Sequence, residues 1–343
     1  MTATTSIPKG STVLVTGVNG FLGMHVADQL LLGGYKVRGT VRDFEKTEWT
    51  KEYFDKKYGE GNFDVAIVKD LAVEGAFDEL IKGCSGICHV ASDVTFGPDP
   101  NKVITPVLNG IASLLHSAAL QPSIKSFVLT SSSAAVTNSR QNEEYTITRE
   151  LWNEKAVEEA WAPPPYTPDR GGIVYSASKT QAEQKAWELV KDGSGFKFNS
   201  INPNFLLGKV LHPKQNKSTA GLVLGMLYGA PQAIAMLQTM GDQWAVDTVD
   251  VAKLHVIALT NPAVSGERIL AYAEKMNFNM VVDRLGKLAG ADAVKNLEKI
   301  EEGGKNLGKV DVARAEELLR GVGSPGLKSF DESVKELLDS VAA

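Results

Sequence analysis

The stretch from Ser11 to Leu32 constrains this fold more than any other part of the chain. Ser11–Thr16 reads STVLVT, a β-branched run suited to a short strand. Gly20–Leu32 (GFLGMHVADQLLL) carries apolar residues at helical spacing and is stopped by Gly33 and Gly34. Between them lies Gly17-Val18-Asn19-Gly20-Phe21-Leu22-Gly23, a GxxGxxG spacing rather than GxGxxG. Gly17 permits a tight turn, Gly20 lets the backbone approach a pyrophosphate, and Gly23 lets the helix pack closely on the sheet. The helix start then offers free N–H groups and a positive dipole end to phosphates. Gly17, Asn19, Gly20, Phe21, Leu22 and Gly23 are therefore expected to cradle a dinucleotide.

Strand-like and helix-like stretches alternate after this. Lys36–Val41, Phe63–Val68, Gly86–Ala91, Ser126–Thr130 and Lys197–Ile201 read as further strands. Helices are expected near Thr47–Lys57, Glu74–Ile81, Asn101–Leu120 and Ser176–Val190. This order predicts an α/β fold, a Rossmann-type doubly wound parallel sheet with ligands at the carboxyl ends of its strands. Ser133–Gly172 breaks the alternation with a helical stretch, Arg149–Trp161, and the proline-rich Ala162–Gly172; it reads as a pocket wall. Beyond Pro203 the pattern loosens, with helical signals at Leu222–Leu237, Val281–Leu288, Asp311–Leu319 and Glu332–Val341. The expected division is a dinucleotide domain over 1–203 with a return segment at 244–262, and a smaller mixed lobe over 204–243 and 263–343.

The second strand speaks to the type of dinucleotide. An acid at its end would bind a ribose 2′-OH, but that position holds Val41, followed by Arg42. An arginine fork matches a 2′-phosphate, and Lys46 adds a second positive charge, so NADP(H) is expected. Asp43 is the competing acid. After the third strand, Asp70 and Leu71 stand where an adenine could be read, with an ordinary turn as the alternative for Asp70.

Tyr175-Ser176-Ala177-Ser178-Lys179 places a phenol and an ammonium at i and i+4, on one helical face. A positive charge there is expected to lower the phenol pKa and make it a usable acid or base. The spacing alone is not specific, because Tyr53 and Lys57 match it equally. Position separates them: Tyr53 follows the second strand and reads as a packing residue, whereas Tyr175 follows the fifth. Thr130-Ser131-Ser132-Ser133 ends that fifth strand and supplies hydroxyls that could polarise a carbonyl.

In combination, VTGVNGFLG (Val15–Gly23), GYKVRGTVRD (Gly34–Asp43), VLTSSS (Val128–Ser133), YSASK (Tyr175–Lys179) and INPNFLLG (Ile201–Gly208) resemble the extended short-chain dehydrogenase/reductases. The likeness is greatest to plant dihydroflavonol reductases and to fungal and yeast NADPH-dependent aldehyde and ketone reductases. It runs to about residue 260 and is loose beyond. The resemblance implies that Ser132 is catalytic beside Tyr175 and Lys179, with Ser133 the alternative if the register slips by one. It implies that Lys179 also binds the nicotinamide ribose, that Ala91, Ser92 and Thr130 approach the cofactor, and that Pro203, Asn204 and Leu206 line its nicotinamide side. The family's asparagine on the helix before the fifth strand has no match: Val107 holds that position, and Asn109 reads as structural.

Composition bounds the rest. The chain has 343 residues, with 43% hydrophobic, 22% charged and a net charge of -5, so no basic field offers itself to nucleic acid or an anionic membrane. No run of about 20 apolar residues could span a bilayer. Two cysteines, Cys84 and Cys88, and a polar start without an apolar leader suggest reduced thiols and a cytoplasmic setting. No metal is expected, since His89 beside Cys88 has no second ligand cluster. His255 reads as packing. Phe96, Tyr166, Met236, Met240, Gln243 and Trp244 are the candidate substrate-pocket residues, giving an apolar, adaptable wall. The expected function is reduction of ketones and aldehydes, such as aryl ketones and keto esters, by NADPH in a monomer or homodimer. A dihydroflavonol-type reductase, a nucleotide-sugar epimerase or dehydratase, and a non-catalytic NADP-binding regulator are the alternatives.

Overall fold

The computed structural model describes residues 5–45, 47–215 and 218–342. Lys46 lies outside them, so its expected role has no structural counterpart here. The first half builds β1 (Thr12–Thr16), α1 (Phe21–Leu32), β2 (Lys36–Val41), α2 (Glu48–Tyr58), β3 (Phe63–Ile67), β4 (Cys84–His89), α3 (Pro100–Ala119) and β5 (Ser126–Thr130). The insertion contributes β6 (Thr146–Ile147) and α4 (Glu154–Ala160), and α5 (Gly171–Val190) and β7 (Lys197–Pro203) return to the sheet. Then come β8 (Phe205–Leu207), α6 (Thr219–Leu227), α7 (Pro231–Thr239), β9 (Gln243–Asp247), α8 (Thr248–Thr260), β10 (Arg268–Ala271) and β11 (Glu274–Met276). The chain ends through α9 (Phe278–Ala289), α10 (Ala291–Val294), β12 (Lys309–Val310), α11 (Ala313–Gly321) and α12 (Phe330–Ala342).

Seven strands form one parallel sheet in the order β10-β7-β5-β4-β1-β2-β3. Val13, Leu14 and Val15 are all fully buried, as a strand covered on both faces requires. Strand order reverses between β1 and β4, and a crevice at their carboxyl ends is where such sheets hold ligands. α1 packs on α8, and Val26, Ala27 and Leu30 share a buried cluster with Val251, Leu254 and Ala258. A separate cluster joins Leu207, Val223, Leu237, Val281, Leu285 and Leu337 beside the three-stranded sheet β11-β9-β8.

Four expectations need correction. Glu74–Ile81 is not a helix. Successive turns run there, with Gly75 at φ +75°, and they bury Phe77 and Ile81. Leu222–Leu237 is two helices, parted by Gly229 at φ +72° and by Pro231 opening α7. The Arg149–Trp161 helix shortens to α4, whose start is set by the Asn153 side chain accepting from Ala156 N–H. α5 begins at Gly171, so Tyr175 sits within it rather than at its opening.

Candidate active site

The glycine loop is a close-packed cradle. Gly17 has φ +66°, and a Cβ there would lie 3.0 Å from Cα of Ala91. A Cβ on Gly23 would lie 2.2 Å from the Gly17 carbonyl oxygen, so only glycine lets α1 start against its own turn. No side chain caps this helix and no acid occupies its first turn, leaving an N-terminus suited to phosphate. Thr16, which the sequence did not single out, pins β4 to the loop: its hydroxyl accepts from Val90 N–H and Ala91 N–H, each at 3.0 Å. This holds Ala91 and half-buried Ser92 at the crevice. Gln215 is buried beside the loop, its amide 3.4 Å from the Gly20 carbonyl.

Arg42 follows β2 directly and is exposed, with Val18 N–H held to Thr40 O at 3.2 Å alongside. An uncapped helix start, a cradle that side chains would fill and an arginine at the second strand end together fit a phosphorylated dinucleotide. Asp70 is exposed and accepts from Ala72 N–H at 2.9 Å, so the turn role is realised. Leu71 packs beneath it against Gly110 on α3. Pro203 ends β7, Asn204 accepts from Phe205 N–H, and Leu206 bridges the two main clusters. Asn109 is exposed on α3.

The residues expected to handle the proton, Ser132, Tyr175 and Lys179, meet at the end of β5. Ser132 is buried and its hydroxyl accepts from Ala134 N–H at 3.1 Å. Burial pushes the Tyr175 phenol above its ordinary pKa, and hydrogen bonding with Ser132 opposes that. The spacing argument expects the opposite net direction; here desolvation sets the shift, and the group that opposes it is Ser132 rather than Lys179. Lys179 is only 7% exposed and donates to the Thr130 carbonyl at 3.4 Å. Burial brings its pKa down to about 8, against the negative charge of Glu183. Thr130 is held from its other side, its hydroxyl 2.7 Å from Nε2 of His255. His255 therefore does more than pack. Burial holds it neutral, with a pKa of about 4, and Nδ1 lies 2.8 Å from the Val251 carbonyl.

Phe96 reaches this centre. Its ring centroid is 4.9 Å from that of Tyr175, it is 42% exposed, and its backbone sits at φ 54°, unusual for a residue with a side chain. Met236 is exposed on α7, and Gln243 donates to the Met240 carbonyl at 3.2 Å just beyond it. Tyr166 lies under the Arg170 guanidinium at 4.9 Å. Trp244 departs from its expected place: it is 6% exposed and packs edge-on against Tyr272 in a cluster with Val136, Ile147 and Leu270, so its ring serves the core. Lys57 also reaches its tyrosine, lying 5.7 Å from the Tyr53 ring centroid. Lys57 pairs with Asp28 at 2.6 Å, and Tyr53 packs edge-on against Phe54.

Sequence reasoning passed over Glu183, Arg268, Ser200 and Asn202, which form a buried polar layer beneath Ser131 and Lys179. The available signal was Glu183 at i+4 from Lys179, on the same face. Among the described residues no group of histidines, cysteines and acids could hold a metal, and no helix is long and apolar enough to cross a membrane. Cys84 and Cys88 are buried free thiols.

Comparison with known proteins identifies the family. The profile of the NAD dependent epimerase/dehydratase family matches residues 13–273. An NAD-dependent epimerase/dehydratase of Aspergillus terreus is 43% identical over 281 residues, 81% of this chain and 82% of that protein. Aldehyde reductase 2 of Sporidiobolus salmonicolor is 36% identical over 340 residues, 98% of each chain. The crystal structure of yeast methylglyoxal/isovaleraldehyde reductase Gre2 complexed with NADPH superposes with a TM-score of 0.78 at 25% identity, covering 96% of this chain and 98% of that one. This chain belongs to the NAD dependent epimerase/dehydratase family, the extended short-chain dehydrogenase/reductases.

Proposed function

We propose that this chain is an NADPH-dependent carbonyl reductase acting on ketones and aldehydes. The carrying observation is the convergence of Ser132, Tyr175 and Lys179 at the end of β5, beside the glycine cradle. The aldehyde reductase among the relatives, matched end to end, supports the reaction class. Arg42 in place of an acid supports NADP(H) over NAD and disfavours a nucleotide-sugar epimerase. The intact Tyr175/Lys179 pair disfavours a non-catalytic regulator.

When bound, NADPH supplies the hydride to the carbonyl carbon. Ser132 and Tyr175 hydrogen-bond the carbonyl oxygen. The raised phenol pKa keeps Tyr175 protonated at neutral pH, the form that reduction needs. Tyr175 gives that proton to the oxygen as negative charge develops, and the Lys179 ammonium then favours the phenolate left behind. Phe96 lies against Tyr175 as an aromatic wall, which suits aryl ketones and keto esters. The test is cofactor consumption over a panel of aldehydes, aryl ketones and keto esters with NADPH and with NADH. Turnover with NADPH is expected. Tight NADPH binding without turnover of any carbonyl, or equal use of NADH, would contradict this reading.

A further inference from the structure

The buried layer under the proton-handling residues has a definite centre. Glu183 is fully buried on α5, one turn beyond Lys179. Its carboxylate takes the Arg268 guanidinium from two sides, Nε at 2.8 Å and Nη2 at 3.0 Å. It also accepts from the hydroxyls of Ser131 at 2.7 Å and Ser200 at 2.5 Å, and from the Asn202 amide at 2.8 Å. Burial pushes the carboxyl pKa up, but these donors, Arg268 above all, hold it below the ordinary range, so it stays ionised.

Two of those bonds lead to the reacting region. Ser131 precedes Ser132. The same Asn202 amide that donates to Glu183 also donates to the Ser132 carbonyl at 3.3 Å. Arg268 extends outward, donating to the carbonyls of Arg149 and Leu151 and lying over the Trp152 ring at 3.6 Å. One carboxylate thus ties together β5, α5, β7, β10 and the insertion that follows β5.

Resting on the reductase reading above, we propose that Glu183, clamped by Arg268, is a positioning residue that sets the Ser132 backbone and keeps Lys179 charged. Lys179 donates to the Thr130 carbonyl, which carries no charge, and its positive charge helps keep His89 on β4 neutral; Arg268 is paired with Glu183. Among the described residues around Lys179, Glu183 supplies the negative charge that opposes burial. A buried ion pair is poor evidence for stability as such, since an apolar replacement often does as well. Its value here lies in what it holds in place.

The experiment compares the full chain with Glu183→Gln and Ser131→Ala, reading kcat, KM and the pH profile of carbonyl reduction with NADPH. Glu183→Gln removes the charge one helical turn from Lys179. The rate should fall at least tenfold at pH 7, and the decline of rate with rising pH should begin about one unit lower. The KM for NADPH should stay near wild type. Ser131→Ala keeps the charge but frees the serine strand end, so kcat should fall severalfold while the pH profile stays put. If Glu183→Gln yields no folded protein, Ser131→Ala decides alone. An active wild type whose variants keep both kcat and pH profile overturns this inference and leaves the reductase reading standing. A wild type that reduces no carbonyl overturns both.

Discussion

Gly23→Ala is the sharpest probe of the cofactor cradle. The added Cβ would fall 2.2 Å from the Gly17 carbonyl oxygen, 2.9 Å from its carbon and 3.1 Å from Val18 Cα. That is short of van der Waals contact by roughly 1 Å, and all three atoms are backbone. No side chain can swing aside, so α1 must move away from its own turn. Overpacking of this kind costs about 1–3 kcal/mol of stability. A shift of that size also misaims the N–H groups at the helix start. Losing one charge-assisted hydrogen bond is worth about 1.5–3 kcal/mol, which is roughly ten- to a hundredfold in NADPH affinity. NADPH fluorescence titration and thermal unfolding read the two effects together. Gly172→Ala is the matched control, because nothing lies within 4 Å of its Cβ position on α5. A Gly23→Ala protein with wild-type Tm and wild-type NADPH affinity would refute the cradle argument.

Two further outcomes follow from the same geometry. Arg42→Ala should weaken NADPH by about 10- to 100-fold while leaving NADH nearly unchanged, since the lost fork addresses only a 2′-phosphate; steady-state kinetics with both cofactors measures this, and a parallel loss for both would move Arg42 out of that role. Arg170 donates to the carbonyls of Glu159, Ala160, Ala162, Pro163 and Pro165, five bonds from one guanidinium. Arg170→Ala should therefore release the Trp161–Gly171 connection, seen as new proteolytic cleavage there, with a stability loss of about 1–3 kcal/mol; unchanged protease resistance would show that the proline run holds itself.

The sheet was legible because its strands are buried on both faces, which writes continuous runs such as Val13-Leu14-Val15 into the sequence. The glycine loop was legible because its demands are local. Glu74–Ile81 misled because its composition suits a helix, while Gly75 at positive φ and the burial of Phe77 and Ile81 are tertiary facts. The start of α5 was missed because Gly171 and Gly172 look like a helix breaker. Gly171 is there for another reason: a Cβ would lie 2.2 Å from the Phe96 carbonyl, so the loop after β4 crosses the helix at that point. Beyond the i+4 spacing of Lys179 and Glu183, the Glu183 layer was out of reach, since Ser131 and Arg268 stand 52 and 85 residues away in the chain. The direction of the Tyr175 shift was likewise hidden, because helical spacing carries no information on the burial that sets it.

The most direct test of the central claim sets Tyr175→Phe against Tyr53→Phe, since both tyrosines precede a lysine by four residues. Single-turnover reduction of an aryl ketone or aldehyde, with NADPH binding measured on the same samples, separates hydride transfer from cofactor loss. Tyr175→Phe should bind NADPH as the wild type does and lose turnover by at least about a hundredfold. Tyr53→Phe should keep wild-type turnover. Full activity in Tyr175→Phe would contradict the account.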